Sequence, residues 1–172
     1  MDLCKRQTDV NVLGLDIKGP VVEQCLQKKK ENNINNVHFL HTNVHNDLKT
    51  ILESVRSKDI QINSVTIQFP DVHALTRHKH KRVVNPAFVA TLAKNLESGA
   101  TVFFQTGVEE LGLDMVRHFA ASEQFAPAES YNAEQLHRNR PAYTVQTEWE
   151  RQFLRDGKPV FRMMYTRTGA SA

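Results

Sequence analysis

Residues 67–84 read "IQFPDVHALTRHKHKRVV". A strand that runs through Ile67 is stopped at Phe69 and Pro70, because proline brings no N–H to a ladder. The next residue, Asp71, therefore sits at the strand's end rather than within it. Six positions later Arg77, His78, Lys79, His80, Lys81 and Arg82 follow without a break. What a carboxylate at a strand end followed by dense positive charge can do depends on the sheet that the strand belongs to.

The flanking sequence answers by alternation. Upstream, "VNVLGLDI" (Val10–Ile17) reads as a strand and "GPVVEQCLQKKKENN" as a helix with Val22 and Leu26 on one face. "VHFLHTN" (Val37–Asn43) is a second strand, followed by the helical spacing of Leu48, Ile51, Leu52 and Val55. "NSVTIQFP" is the third strand. Downstream, "NPAFVATLAKNLES" opens on Asn85 as cap and Pro86 as first helical residue, with Gly99 closing it. "ATVFFQT" is a fourth strand and "VEELGLDMVRHFAAS" a further helix. Residues 123–143 lose periodicity and read as a long loop, "TEWERQFLRDG" as a helix, "VFRMMYTR" as a closing strand and 168–172 as a tail.

Strands alternating with helices predict an α/β fold: a mostly parallel, Rossmann-like sheet with helices on both faces, formed as one domain over 1–172. Ligands of such sheets sit outside the carboxyl ends of the strands. Asp16, Asn43, Asp71 and Thr106 all fall there. An ionised carboxylate only accepts hydrogen bonds, so Asp16 suits a ribose diol, which offers two donors. A solvated turn residue or helix cap is the competing reading of Asp16, and an ordinary turn residue that of Asp71. The basic run reads equally as a solvated face or a targeting signal. A zinc site from Asp71, His73, His78 and His80 is disfavoured by the lysines between the histidines.

Bulk properties narrow the classes. The chain has 172 residues, 40% of them hydrophobic, enough for one core. A net charge of +3 means that affinity for an anionic partner must come from local clustering. Cys4 and Cys25 are too few for a disulfide framework and fit no zinc spacing. No apolar run reaches the roughly 20 residues of a bilayer span, and the first residues lack the apolar core of a signal peptide. A protein of the cell interior, cytoplasmic or nuclear, without a membrane partner is expected.

"FPDVHALTRHKHKRVV" resembles the signature of the tRNA (guanine-N7-)-methyltransferase family, in which Phe-Pro-Asp-Pro is followed by a Lys/Arg/His cluster. "LGLDIK", "HTN" and "TEWERQFLRDGKPVFRMMYTR" resemble other family segments in the same order, so the similarity covers about residues 9–167. The resemblance implies a class I methyltransferase that uses S-adenosylmethionine and acts on tRNA. It implies that Asp16, Lys18, Asn43, Val44, Thr147, Glu148 and Glu150 hold the cofactor, and that Asp71 is the active-site carboxylate. Arg77, Lys79, Lys81, Arg82, Glu109, Thr147 and Glu150 would hold substrate, and a non-catalytic protein subunit is a further expected partner.

Three positions depart from the family pattern: Val72 replaces proline, Leu75 replaces lysine, and the usual Thr-Asp-x-Glu reads Thr106, Gly107, Val108, Glu109. None of the seven glycines forms a Gly-x-Gly pair. The expectation is accordingly a form shortened at its N-terminus, without the first, central strand and its Gly-rich turn. A non-catalytic RNA-binding or partner-binding relative is the alternative reading.

Overall fold

The computed structural model describes residues 2–71, 82–129, 131, 137–138 and 145–169. It forms two compact units, Met1–Ile51 and Leu52–Ala172.

In the first unit, α1 (Asp2–Arg6) leads to β1 (Val12–Asp16), α2 (Gly19–Glu31), β2 (Val37–His41) and the start of α3 (Val44–Arg56). β1 and β2 are parallel, with Val12 opposite Val37 and Asp16 opposite His41, so both strands end at one rim. Cys4, Ile34 and Val37 form the core, with Val12 and Phe39 packed against them. Gly14 makes that packing feasible, since a Cβ there would lie 2.6 Å from the Phe39 ring. The Asn36 amide reaches the carbonyls of Cys4, Gln7 and Val10 at 2.8–3.0 Å, which fixes the turn from α1 into β1. Both cysteines are free thiols, Cys4 buried and Cys25 half-buried.

The second unit contains β3 (Ser64–Gln68), α4 (Pro86–Asn95), β4 (Thr101–Thr106), α5 (Glu109–Ala120), β5 (Phe125–Pro127), β6 (His137–Arg138), α6 (Glu148–Arg155) and β7 (Phe161–Arg167). Its sheet runs β3-β4-β7-β5, with β6 also paired to β7. β3 and β4 are parallel, as expected, whereas β7 is antiparallel to β4, β5 and β6. The cause is the position of α6. Its Phe153 packs on Gly107, just past the end of β4, and Phe161 pairs with Thr106. The chain thus re-enters the sheet at the rim where β4 leaves it, and β7 must run the other way.

Helix α4 begins as its sequence predicts, with the Asn85 side chain accepting from the Phe88 N–H at 3.0 Å and Pro86 in the first turn. It ends at Asn95, before Gly99, whose φ of 89° serves the turn into β4 instead. Segment 123–143, read above as a loop, contributes β5 and β6. β5 is three residues long and ends in proline, too short to show a period of two. What secures it is packing: Phe125 meets Phe119 edge-on at 5.2 Å, and Phe119 stacks on Tyr165 at 4.9 Å. These rings, with Phe104, Val102 and Met163, are the dry centre of the unit.

Tyr165 carries a pH signature. Burial pushes its phenol up to about 12, while an unfolded tyrosine ionises near about 10. Between those values the unfolded chain releases a proton that the folded one keeps, so stability is intact below the lower value and falls as pH rises above it. From about pH 9.5 to about pH 11 the protein should lose about 1 kcal/mol more than Tyr165→Phe does in urea unfolding. Equal losses would show that the phenol is already ionisable in the fold.

Candidate active site

The rim of the first unit carries four of the sequence-predicted residues. Asp16 ends β1; its Oδ1 accepts from the Lys18 N–H at 2.8 Å and its carbonyl accepts from the Thr42 N–H at 2.9 Å. Oδ2 receives no hydrogen bond from the described residues. Asn43 lies beyond β2, where its Oδ1 accepts from the His45 N–H at 3.0 Å and its carbonyl accepts from the N–H groups of Asn46 and Asp47. It therefore starts α3, and Val44 is that helix's first residue. His41, which sequence reasoning did not single out, lies within 3.0 Å of the Ile17 carbonyl through Nε2, and a Cβ added at Gly19 would lie 3.4 Å from its ring. His41 thus braces the turn that bears Asp16 and Lys18.

The rim of the second unit is built around a buried knot. On α6, Oε1 of Glu150 accepts from Nη2 of Arg162 at 2.6 Å, with both side chains about 1% exposed. Arg162 Nε donates to Gln105 Oε1 at 3.0 Å, and Gln105 Nε2 donates to Gln68 at 2.6 Å and to Glu150 Oε2 at 3.3 Å. Glu150 also closes a capping box with Thr147: the Thr147 Oγ1 accepts the Glu150 N–H at 3.1 Å, and Glu150 Oε2 accepts the Thr147 N–H at 3.3 Å. One carboxylate thereby joins β7, β4 and the start of α6. Glu150, expected to touch cofactor and substrate, is completely buried and has both oxygens engaged. Its place here is under the rim rather than on it.

Gln68 carries this network to the end of β3, where Phe69 follows. Phe69 has φ 47°, a left-handed conformation costly for a bulky residue. Its N–H donates to the Gln105 carbonyl at 2.9 Å and its ring meets Phe153 at 5.3 Å, which together hold it there. The reversal at Phe69 and Pro70 sets the direction in which the exposed Asp71 leaves the sheet. Arg77, Lys79 and Lys81 lie outside the described residues, as do His73, His78 and His80 of the zinc reading. Among the described residues no three ligand-type side chains form a metal cluster.

Arg82, expected on tRNA phosphate, is only 2% exposed. Nη2 bonds Glu110 at 3.1 Å and Nη1 pairs with Asp114, both on α5. Burial alone would lower its pKa, but its hydrogen bonds to Asp114 and Glu110 outweigh that and raise it. A run of charge in sequence does not reveal the two acidic residues, one helical turn apart on α5, that pair with its last member. Glu109, Glu148 and Asp71 are exposed, and Glu148 pairs with Arg151 at 2.7 Å.

Gly107, one of the departures noted above, has a physical counterpart. A Cβ there would lie 1.9 Å from the Phe153 ring, so the usual aspartate could not coexist with Phe153 as packed.

The fold is that of class I methyltransferases. A methyltransferase homolog from Pyrococcus horikoshii superposes with a TM-score of 0.55 at 11% identity, covering 92% of this chain and 53% of that one. An rRNA methylase from Streptococcus thermophilus gives 0.51 at 12% identity, covering 92% and 74%. The family model described as "Putative methyltransferase" matches residues 1–163. The tRNA (guanine-N(7)-)-methyltransferase of Trichormus variabilis is 36% identical over 157 residues, covering 91% of this chain and 70% of the relative. That of Nostoc sp. is 33% identical over 168 residues, covering 98% and 74%. The chain belongs to the tRNA (guanine-N(7)-)-methyltransferase family.

The Gly107–Phe153 contact is testable by unfolding in urea. Gly107→Ala should cost about 1–3 kcal/mol through overpacking, and clearly less when Phe153→Ala has already cleared the space. The same cost in both backgrounds would mean that Phe153 does not occupy the hollow over Gly107.

Proposed function

We propose that this protein transfers a methyl group from S-adenosylmethionine to N7 of a guanine in tRNA. The observation that carries the reading is the 36% identity to a tRNA (guanine-N(7)-)-methyltransferase over 91% of the chain. The donor set of the first unit fits the cofactor's adenosine: Asp16 keeps one acceptor oxygen for a ribose hydroxyl, and the Asn43 side-chain NH2 makes no bond to the described residues. Lys18 lies next to Asp16, which its N–H orients, and Val44 lies next to Asn43. When bound, the cofactor supplies an electrophilic sulfonium methyl.

The rest of the chemistry asks little of the protein in proton transfer. Guanine N7 carries a free lone pair, so no base is needed; the N–CH3 bond forms as the S–CH3 bond breaks and the base becomes cationic. Asp71 is the group assigned to that base, holding its N–H donors and favouring the developing positive charge. Thr147, Glu148 and Glu109 contribute to holding substrate and cofactor, with Glu150 acting through Thr147 by the capping box. Arg77, Lys79 and Lys81 are assigned to tRNA phosphates, where cations position the nucleic acid without reading its bases. A non-catalytic protein subunit is a further proposed partner. Among the described residues no helix is long and apolar enough to cross a membrane.

A second reading, a relative that binds RNA without methylating it, draws on Leu75 and Gly107, where the family pattern has a lysine and an aspartate. Transfer of labelled methyl to tRNA, mapped to the modified nucleotide, separates the two. Asp71→Asn should lower turnover about 100-fold or more while tRNA affinity stays within about threefold. Wild-type binding without any methyl transfer would establish the second reading, and unchanged turnover in Asp71→Asn would remove Asp71 from the reaction.

A further inference from the structure

Trp149 is the sole tryptophan and, at 65% exposure, the most exposed large apolar side chain among the described residues. Glu150, the next residue, is locked in the buried knot, so the first turn of α6 is rigid and Trp149 is carried on its exposed side. Its position in the second unit is not arbitrary. Trp149 meets Phe153 edge-on at 6.5 Å, and Phe153 meets Phe69 at 5.3 Å, two residues before Asp71. Three rings thus lead from the strand end that bears the carboxylate to an indole in solvent.

The surroundings carry charge of both signs as well as aromatic rings. Lys158 Nζ lies 5.7 Å above the Phe153 ring, and an open hollow beside α6 is lined by Gln146, Glu148, Arg151, Leu154 and Arg155. Arg151 is tied to Glu148 within α6, and Lys158 to Asp156 just past its end, so both cations are held in place. Exposed aromatic faces set among cations next to a site for nucleic acid are how proteins hold unpaired bases, because every base has a π-face and every link a phosphate.

We propose that Trp149 is a stacking platform for an unpaired tRNA base, next to the guanine presented to Asp71. This rests on the reading of tRNA as substrate. The platform binds and orients, whereas the chemistry stays at Asp71. A guanine lifted out of tRNA structure loses its stacking neighbours, and an indole that takes up a flanking base would offset that loss.

The sole tryptophan makes the test direct. The full chain is titrated with an unmodified tRNA transcript while indole emission and, separately, electrophoretic mobility are followed. Emission should fall by about half or more along the same curve as binding, because a stacked base quenches the indole. Trp149→Phe should bind within about threefold of wild type, and Trp149→Ala about tenfold more weakly, with an unchanged thermal transition. Methyl transfer by Trp149→Ala should be recovered at high tRNA concentration, a rise in KM with kcat kept.

Saturation of binding with unchanged emission overturns the proposal even if Trp149→Ala fails to fold. So does emission that varies with protein concentration in the absence of RNA, which would assign the indole to a contact between copies of the chain. If the mobility assay shows no tRNA binding at all, the functional reading fails first and the platform with it; methyl transfer to tRNA with a silent indole overturns the platform alone.

Discussion

The ion pair between Glu150 and Arg162 holds the second unit's rim together. Neither side chain has access to water, and each would be prohibitively costly to bury alone. Exchanging such a pair for apolar side chains of similar shape is often neutral, yet breaking it by removing one partner costs about 3–5 kcal/mol. Its value here is therefore in geometry. Arg162 fixes Glu150, Glu150 fixes Thr147 and the start of α6, and Gln105 passes the constraint to Gln68. Phe153 then comes down on Gly107 and Phe69, and the chain leaves β3 in the direction that Phe69 dictates. The sheet reversal at β7 and the position of Asp71 follow from the same docking of α6.

A division of labour results. Charges of the second unit that the fold consumes, Glu150, Arg162, Arg82 and Arg167, lie at or below 2% exposure with partners from other elements. The groups proposed to meet ligands, Asp71, Glu109 and Glu148, are exposed. This suits a reaction whose nucleophile is already a lone pair. The protein has to hold two ligands at a fixed separation and stabilise a developing cation, and rigidity under the rim serves that better than a tuned proton acceptor would.

Much of this was legible in the sequence, for identifiable reasons. The short aliphatic and aromatic runs in "VLGLD" and "TVFFQT", the cap Asn85-Pro86 and the stop at Phe69-Pro70 are local signals, and the elements that they predict are present. The strand ends carry Asp16, Asn43, Asp71 and Thr106 because polar residues there interrupt apolar runs. What could not be read was long-range. β5 has no period to detect and exists through Phe119 and Tyr165. Arg82 reads in the sequence as one more member of a basic run expected on tRNA, and its pairing with Glu110 and Asp114 of α5 is visible only in the fold. Glu150 looked like a ligand because nothing in Thr-x-x-Glu separates a carboxylate facing a pocket from one capping its own helix over a buried arginine. Gly107 read as a lost aspartate, and only the Phe153 ring gives it a cause.

The claim that one buried pair sets the rim is tested most directly by a double-mutant cycle on Glu150→Gln and Arg162→Met, read as unfolding free energy in urea. The account predicts that each single change costs about 3–5 kcal/mol, and that the double variant costs less than their sum by about 2 kcal/mol or more, because no orphan charge remains. Costs that add within about 0.5 kcal/mol would show that the two side chains do not act together, and that α6 is held at the rim by something else.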